Sequence, residues 1–218
     1  MTQEQRRAFL STYGRAIAPI VLAYAIFTII RDFVEDFANE LWIETGYKNN
    51  AGIFAQQSTM VALIVLVVVA SFFTIKNNFK AFTWTHYLIL LGLLLTASAT
   101  FLFNIGILAA AHWMLIATTG LYFAYLPFNC LYFERMLSSY KIRGNVGFVM
   151  YIADAFGYLG TVLVLLIKEF IPIHYSWINF FSFLFYTATV LGSIFILAGL
   201  FAHRRLHAKL APPSSANI

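Results

Sequence analysis

Arg31, Asp32, Glu35 and Asp36, in the stretch Arg-Asp-Phe-Val-Glu-Asp, put four ionisable side chains directly after the apolar run from Ile17 to Ile30. The chain is 61% hydrophobic and only 11% charged, so charge in this place needs a reason. An ionisable group facing lipid costs roughly 2.5 kcal/mol or more, and such groups beside an apolar segment point to proton or cation handling. Arg31 can pair with Glu35 at i+4 or anchor a substrate, which leaves Asp32 and Asp36 as surplus carboxylates. Their excess negative charge suits a cation or a shared proton, since neighbouring carboxylates resist ionising together. A plainer reading stays open, in which the membrane ends near Ile30 and these residues begin a solvated loop.

Asp154 is the second candidate, set in Tyr-Ile-Ala-Asp-Ala-Phe-Gly-Tyr. Helical spacing puts Gly147, Tyr151, Asp154, Tyr158 and Thr161 on one face, where the two phenols could hydrogen-bond the carboxylate. Ala153, Gly157 and Gly160 form an adjoining strip of small residues suited to close helix contact. Asp154 then either handles a proton or cation, or makes a structural bond to another helix. A third group is Tyr122, Tyr125, Pro127 and Asn129. Pro127 removes a backbone donor and kinks a helix, and the other three project to one side as a pathway lining or a helix interface.

These residues need elements to position them, and composition says which kind. The chain has 218 residues and a mean hydropathy of +0.79. Apolar stretches of about 20 residues, each able to cross a hydrocarbon layer about 30 Å thick, recur along its length. Six spans are expected, near Ala16–Trp42, Gly52–Ile75, Ala81–Phe103, Ile107–Leu131, Asn145–Ile167 and Ser176–Ala202. The fold class is therefore an all-α membrane protein of six transmembrane helices. Residues 1–15 form an N-terminal segment, 16–203 the membrane domain and 204–218 a basic tail, disordered from Ala211.

If span one is one helix, Thr28, Arg31, Asp32, Glu35, Asp36 and Asn39 share a polar face, and Phe33, Val34, Phe37, Ala38 and Leu41 can meet lipid. Gln56 to Thr59, with Thr96, Ser98, Thr100 and Asn104, could line an outer vestibule beside it. Eleven of the fourteen basic residues fall at one end of the spans, which the positive-inside rule assigns to the cytoplasm together with both termini. Topology thus accounts for the net charge of +5, and no nucleic-acid motif accompanies it. Cys130 stands alone, which excludes an internal disulfide, and its position suits a free, buried thiol. Glu134 and Arg135 could pair at the membrane surface. His86 and His112 fall near opposite surfaces, and His203 with His207 reads as a basic helix end. No cofactor, metal or catalytic constellation is expected.

Three segments carry a family resemblance: Arg31 to Trp42, Leu121 to Asn129 with Phe133-Glu-Arg135, and Tyr151 to Tyr158. Together they resemble an uncharacterised bacterial family of polytopic proteins that is similar to major-facilitator transporters. The resemblance covers one six-helix half. It implies a pathway between two such halves, each built of inverted three-helix repeats, in the bacterial inner membrane. The Lys76–Lys80 connection lacks the Gly-x-x-x-Asp-Arg-x-Gly-Arg signature of many facilitators, and a single half needs a homodimer or a second membrane subunit. The expected function is a half-size, facilitator-like transporter subunit for a small solute, with proton coupling open. The alternative is a non-catalytic scaffold or accessory subunit of a larger membrane complex.

Overall fold

Inside a bilayer no water is available to a peptide group, so a spanning segment must close its own hydrogen bonds. A computed structural model shows the described residues doing this entirely with helices. The structure describes residues 2–48, 52–139, 145–170 and 176–210, with side chains for all but 167–169 and 207–210. The helices are α1 (Gln3–Asp36), α2 (Ala38–Glu44), α3 (Gly52–Ser71), α4 (Asn78–Asn104), α5 (Ala110–Pro127), α6 (Phe133–Ser139), α7 (Val146–Phe170) and α8 (Trp177–Leu210). Six stretches are long and apolar enough to span: α1, α3 with its closing 3-10 turn, α4, the run from α5 to α6, α7 and α8. The chain is an all-α, six-span integral membrane protein. The expected tail 211–218 lies outside the described residues.

The first span differs from expectation at both ends. Thr2 and Gln5 cap each other reciprocally, so α1 starts at Gln3 and not near Ala16. Its 34 residues extend roughly 51 Å, well beyond the hydrocarbon thickness, and carry Arg6 and Arg7 on the overhang. At the other end the helix breaks at Phe37 (φ −116°, ψ 14°) and restarts as α2. The apolar flank Phe33, Val34, Ala38 and Leu41 packs inside the bundle with Phe181 and Phe185, so it does not meet lipid as the helical wheel suggested.

Two glycines close helices with positive φ: Gly46 (96°) after α2 and Gly106 (78°) after α4. In both, the next amide reaches five residues back, Tyr47 to Trp42 and Ile107 to Leu102, which is the Schellman pattern for satisfying orphan carbonyls. Glu44 then ties α2 to α8 by accepting from Trp177 N (2.6 Å) and Ser176 Oγ (2.5 Å), covering free N–H groups at that helix start.

α1 is the central helix. It packs on α5, α7 and α8, while α4 packs on α5 and α8, and α3 chiefly on α5. Ile20, Ala23, Phe27 and Phe33 of α1 are wholly buried. The tightest crossing joins α4 and α5, where a Cβ on Gly92 or Gly120 would strike the other glycine's carbonyl oxygen. Small residues let membrane helices approach to this depth. Ala153, Gly157 and Gly160 do the same for α7, with Gly157 against Thr28 and Gly160 against Ile29. Basic side chains gather at one end, where Arg135 bonds Asn78 (2.6 Å) and Arg204 bonds Tyr87 (2.8 Å).

Candidate functional site

The acids of α1 recruit partners from three helices. Arg31 is held on its own helix by Asp32 (2.9 Å) and Glu35 (3.0 Å), the second being the expected i+4 pair. Its guanidinium lies 4.8 Å from the ring centre of Tyr125, and Nη2 donates to the Tyr125 hydroxyl at 3.3 Å. Arg31 Nε finds no acceptor among the described residues. Tyr122 donates to the other oxygen of Glu35. Asp32 turns the opposite way and accepts from Thr161 of α7 at 2.7 Å. Asp36 is exposed, one turn beyond Asp32.

Asp154 sits deeper, and its phenol partner is not the one expected. Tyr24 of α1 meets it at 2.6 Å and also lies 3.2 Å from Asn129. Tyr151 and Tyr158 instead point outward, 77% and 59% exposed. Tyr24 has one hydroxyl proton, which allows two patterns. Either it donates to an ionised Asp154 and the Asn129 amide turns its NH2 to the phenol oxygen, or a protonated Asp154 donates to Tyr24, which then donates to Asn129.

The two groups form one strip. Tyr24 stacks on Tyr125 (5.6 Å between ring centres, 17° between planes), and Tyr125 carries Arg31. Asp154, Tyr24, Tyr125, Arg31, Glu35 and Tyr122 are therefore linked side chain to side chain. On α7, Tyr151, Asp154, Tyr158 and Thr161 all lie on the same side of the strip that packs on α1. Beside Glu35 and Tyr122 a recess of about 500 Å³ separates α1 from α3, lined chiefly by apolar groups such as Val61, Val65 and Leu126, with Gln57 and Ser58.

Other expected groupings come apart. Gln57 bonds Met114 O and Thr118, Thr96 bonds Ala117 O, Thr100 accepts from Trp113, and Asn104 meets Tyr186 and Ser182. These are joints between helices and not a vestibule lining, although Gln57 and Ser58 do border the recess. Pro127 is buried, and the chain continues through a π turn, Phe128–Tyr132, into α6. Cys130 in that turn is free but exposed, not buried. Arg135 takes Asn78 as its partner in place of Glu134.

The histidines also regroup. His203 is buried beside His86, with ring centres 6.3 Å apart, and does not belong to a basic surface; the His207 side chain lies outside the described ones. His86 Nδ1 donates to Phe82 O (2.9 Å), since a carbonyl can only accept, and Nε2 of the neutral ring accepts from the Tyr132 hydroxyl (2.9 Å). Among the described residues no three histidine, cysteine or carboxylate groups converge as metal ligands.

Sequence reasoning missed Tyr24 altogether. It lies inside an apolar run, and only the approach of α5 and α7 makes it a partner of Asn129, Tyr125 and Asp154.

Comparison with known proteins places the chain in a family. It belongs to the family of unknown function DUF5690, whose profile matches residues 1–205. No curated protein and no solved structure matches it.

Proposed function

We propose that this DUF5690 member is a half-size, facilitator-like transporter subunit for a small solute, which completes its pathway by facing a second bundle, most simply its own copy. One observation carries the reading. The strip Glu35–Arg31–Tyr125–Tyr24–Asp154, flanked by the exposed Asp36, Tyr151 and Tyr158, lies within membrane-spanning helices. Four ionisable groups turned to lipid would cost roughly 10 kcal/mol, as much as the whole stability of a typical domain. Protein or water must cover them. The recess beside Glu35 falls in the size range of small-molecule pockets, and its apolar walls suit a solute with an apolar body. Glu35, Gln57, Ser58 and Tyr122 are the polar groups on its lining that could orient such a solute.

Coupling to protons would use the two patterns at Tyr24. With Asp154 ionised, the phenol hydrogen points to α7; with it protonated, the hydrogen points to Asn129. Tyr24 also stacks on Tyr125, the ring that carries Arg31, so this proton site lies beside the ion pair. The test is uptake from an isotope-labelled cell extract into reconstituted vesicles bearing a proton gradient, read by mass spectrometry. The reading expects accumulation of at least one solute, reduced tenfold or more by Asp154→Asn. Uptake no greater than in protein-free vesicles defeats it.

A scaffold role is the second reading, and a specific observation favours it. Arg31 is already occupied by Asp32, Glu35 and Tyr125 within its own chain, as a fixed docking surface would be. The protein should then co-purify in mild detergent with a constant set of membrane partners, and Arg31→Ala should disperse them without changing any flux. Isolation as a monomer or homodimer alone removes this reading.

A further inference from the structure

The first turn of a helix presents free N–H groups and the positive end of its dipole, so a cation is an unfavourable neighbour there. Arg6 nevertheless stands at the start of α7, its guanidinium 5.2 Å from the ring centre of Phe148. No acidic residue occupies that first turn, and its Gly147 and Phe148 amides are already taken by Asn145, through Oδ1 (2.9 Å) and the main-chain carbonyl (3.0 Å), so the dipole and the arginines supply the field. Arg7 is exposed beside it, and Glu4 is the one carboxylate between Met1 and Arg31. Positive potential from two sources meets here, which favours an anion.

From this point α1 and α7 enclose a groove of about 350 Å³ whose lining residues are all apolar or glycine. Its α1 wall forms two helical rows: Leu10, Gly14, Ile17 and Val21, and beside them Ala18 and Leu22. Three residues before each row stands an arginine, Arg7 before Leu10 and Arg15 before Ala18. The α7 wall is Val149, Ile152 and Phe156. These lie across the Ala153–Gly157–Gly160 strip from Asp154, so the groove opens on the perimeter of the bundle, away from the polar strip. A Cβ at Gly14 would meet nothing within 4 Å, whereas at Gly92, Gly120, Gly157, Gly160, Gly192 and Gly199 it would press on another helix. Among the described residues Gly14 therefore has no close helix contact to make. It leaves one wall of the groove bare.

We propose that this groove binds an acidic phospholipid, with an acyl chain along Gly14 and Ala18 and the phosphodiester between Arg6 and Arg7, near the positive end of α7. A molecule apolar along its length and anionic at its tip matches both parts of the site. A free phosphate would leave the apolar groove empty, and a second copy docked through the same groove would set arginine against arginine. The basic end is also the one whose charge suits the cytoplasmic leaflet, where basic residues attract acidic lipid.

The test uses the full chain in mild detergent, titrated with dioleoyl phosphatidylglycerol or dioleoyl phosphatidylcholine, with bound lipid counted by native mass spectrometry. Phosphatidylglycerol should be retained at least tenfold more tightly. Arg6→Gln with Arg7→Gln should weaken it about twenty-fivefold, a factor of about five per basic residue, and leave phosphatidylcholine unchanged. Gly14→Leu finds no neighbour within 4 Å of its Cβ and puts its outer carbons into the groove, so it should abolish the tight site while the melting temperature holds. Equal retention of the two lipids, or undiminished phosphatidylglycerol binding in Gly14→Leu, overturns the proposal. So does a Gly14→Leu variant that changes oligomeric mass but not lipid occupancy. Lipid occupancy is read directly, so absence of transport leaves the result intact.

Discussion

Tyr24 has one proton and two oxygen neighbours, and the cost of removing its hydroxyl reports which pattern the strip adopts. Tyr24→Phe keeps the stack on Tyr125 and deletes only the bond to Asp154 at 2.6 Å and the contact with Asn129 at 3.2 Å. A hydrogen bond to a charged group contributes about 1.5–3 kcal/mol and a neutral one about 1 kcal/mol. Unfolding in mixed micelles should therefore show a loss of roughly 2 kcal/mol if Asp154 is ionised and nearer 1 kcal/mol if it is protonated. No loss at all would mean that the bond is not formed. The exposed phenols of Tyr151 and Tyr158 make no such bond among the described residues, and changing either to Phe should leave stability within about 0.5 kcal/mol, as for surface positions generally.

Glycines that look alike in sequence have opposite roles in their helices. A leucine at Gly92 would drive carbons into the carbonyl oxygen of Gly120 and separate α4 from α5, whereas at Gly14 its Cβ meets nothing within 4 Å and its outer carbons have the groove to occupy. Overpacking commonly costs about 1–3 kcal/mol and more when backbone must move. Gly92→Leu should accordingly lower the detergent melting point by several degrees or abolish folded protein, with Gly14→Leu unchanged. Equal melting of the two variants would contradict the crossing. At the join of α2 and α8, Glu44→Ala removes the carboxylate that accepts from Trp177 N and Ser176. A lost helix cap costs roughly 1 kcal/mol, and hydrogen exchange should quicken first at the amides of Trp177 and its neighbours.

The bundle as a whole is asymmetric, with the ionic and phenolic strip on one side and apolar helix faces such as Leu94 of α4 on another. A homodimer that buries the strip brings Tyr151 of one copy towards its partner and keeps Leu94 in lipid. In a Cys130→Ser background, Tyr151→Cys should form intermolecular crosslinks in native membranes and Leu94→Cys should not. Crosslinking of Leu94→Cys alone would place the interface elsewhere and remove the dimer pathway.

The sequence by itself determined the fold class, because hydropathy over about 20 residues and the bilayer's demand for satisfied backbone leave a polytopic chain little choice but helices. It also determined the polar face of α1, the Arg31–Glu35 pair and the small-residue strip of α7, all of which depend on helical spacing within one element. Helix limits were less legible, since the Thr2 cap and the break at Phe37 interrupt no apolar run. Only the tertiary structure decided which helices meet. It exchanged Tyr151 and Tyr158 for Tyr24 as the partner of Asp154, joined His86 to His203 and made joints of Gln57, Thr96, Thr100 and Asn104. The reason is physical: a contact across more than a hundred residues depends on crossing angle and depth of packing, and these are set by glycines and bulky side chains on both helices at once.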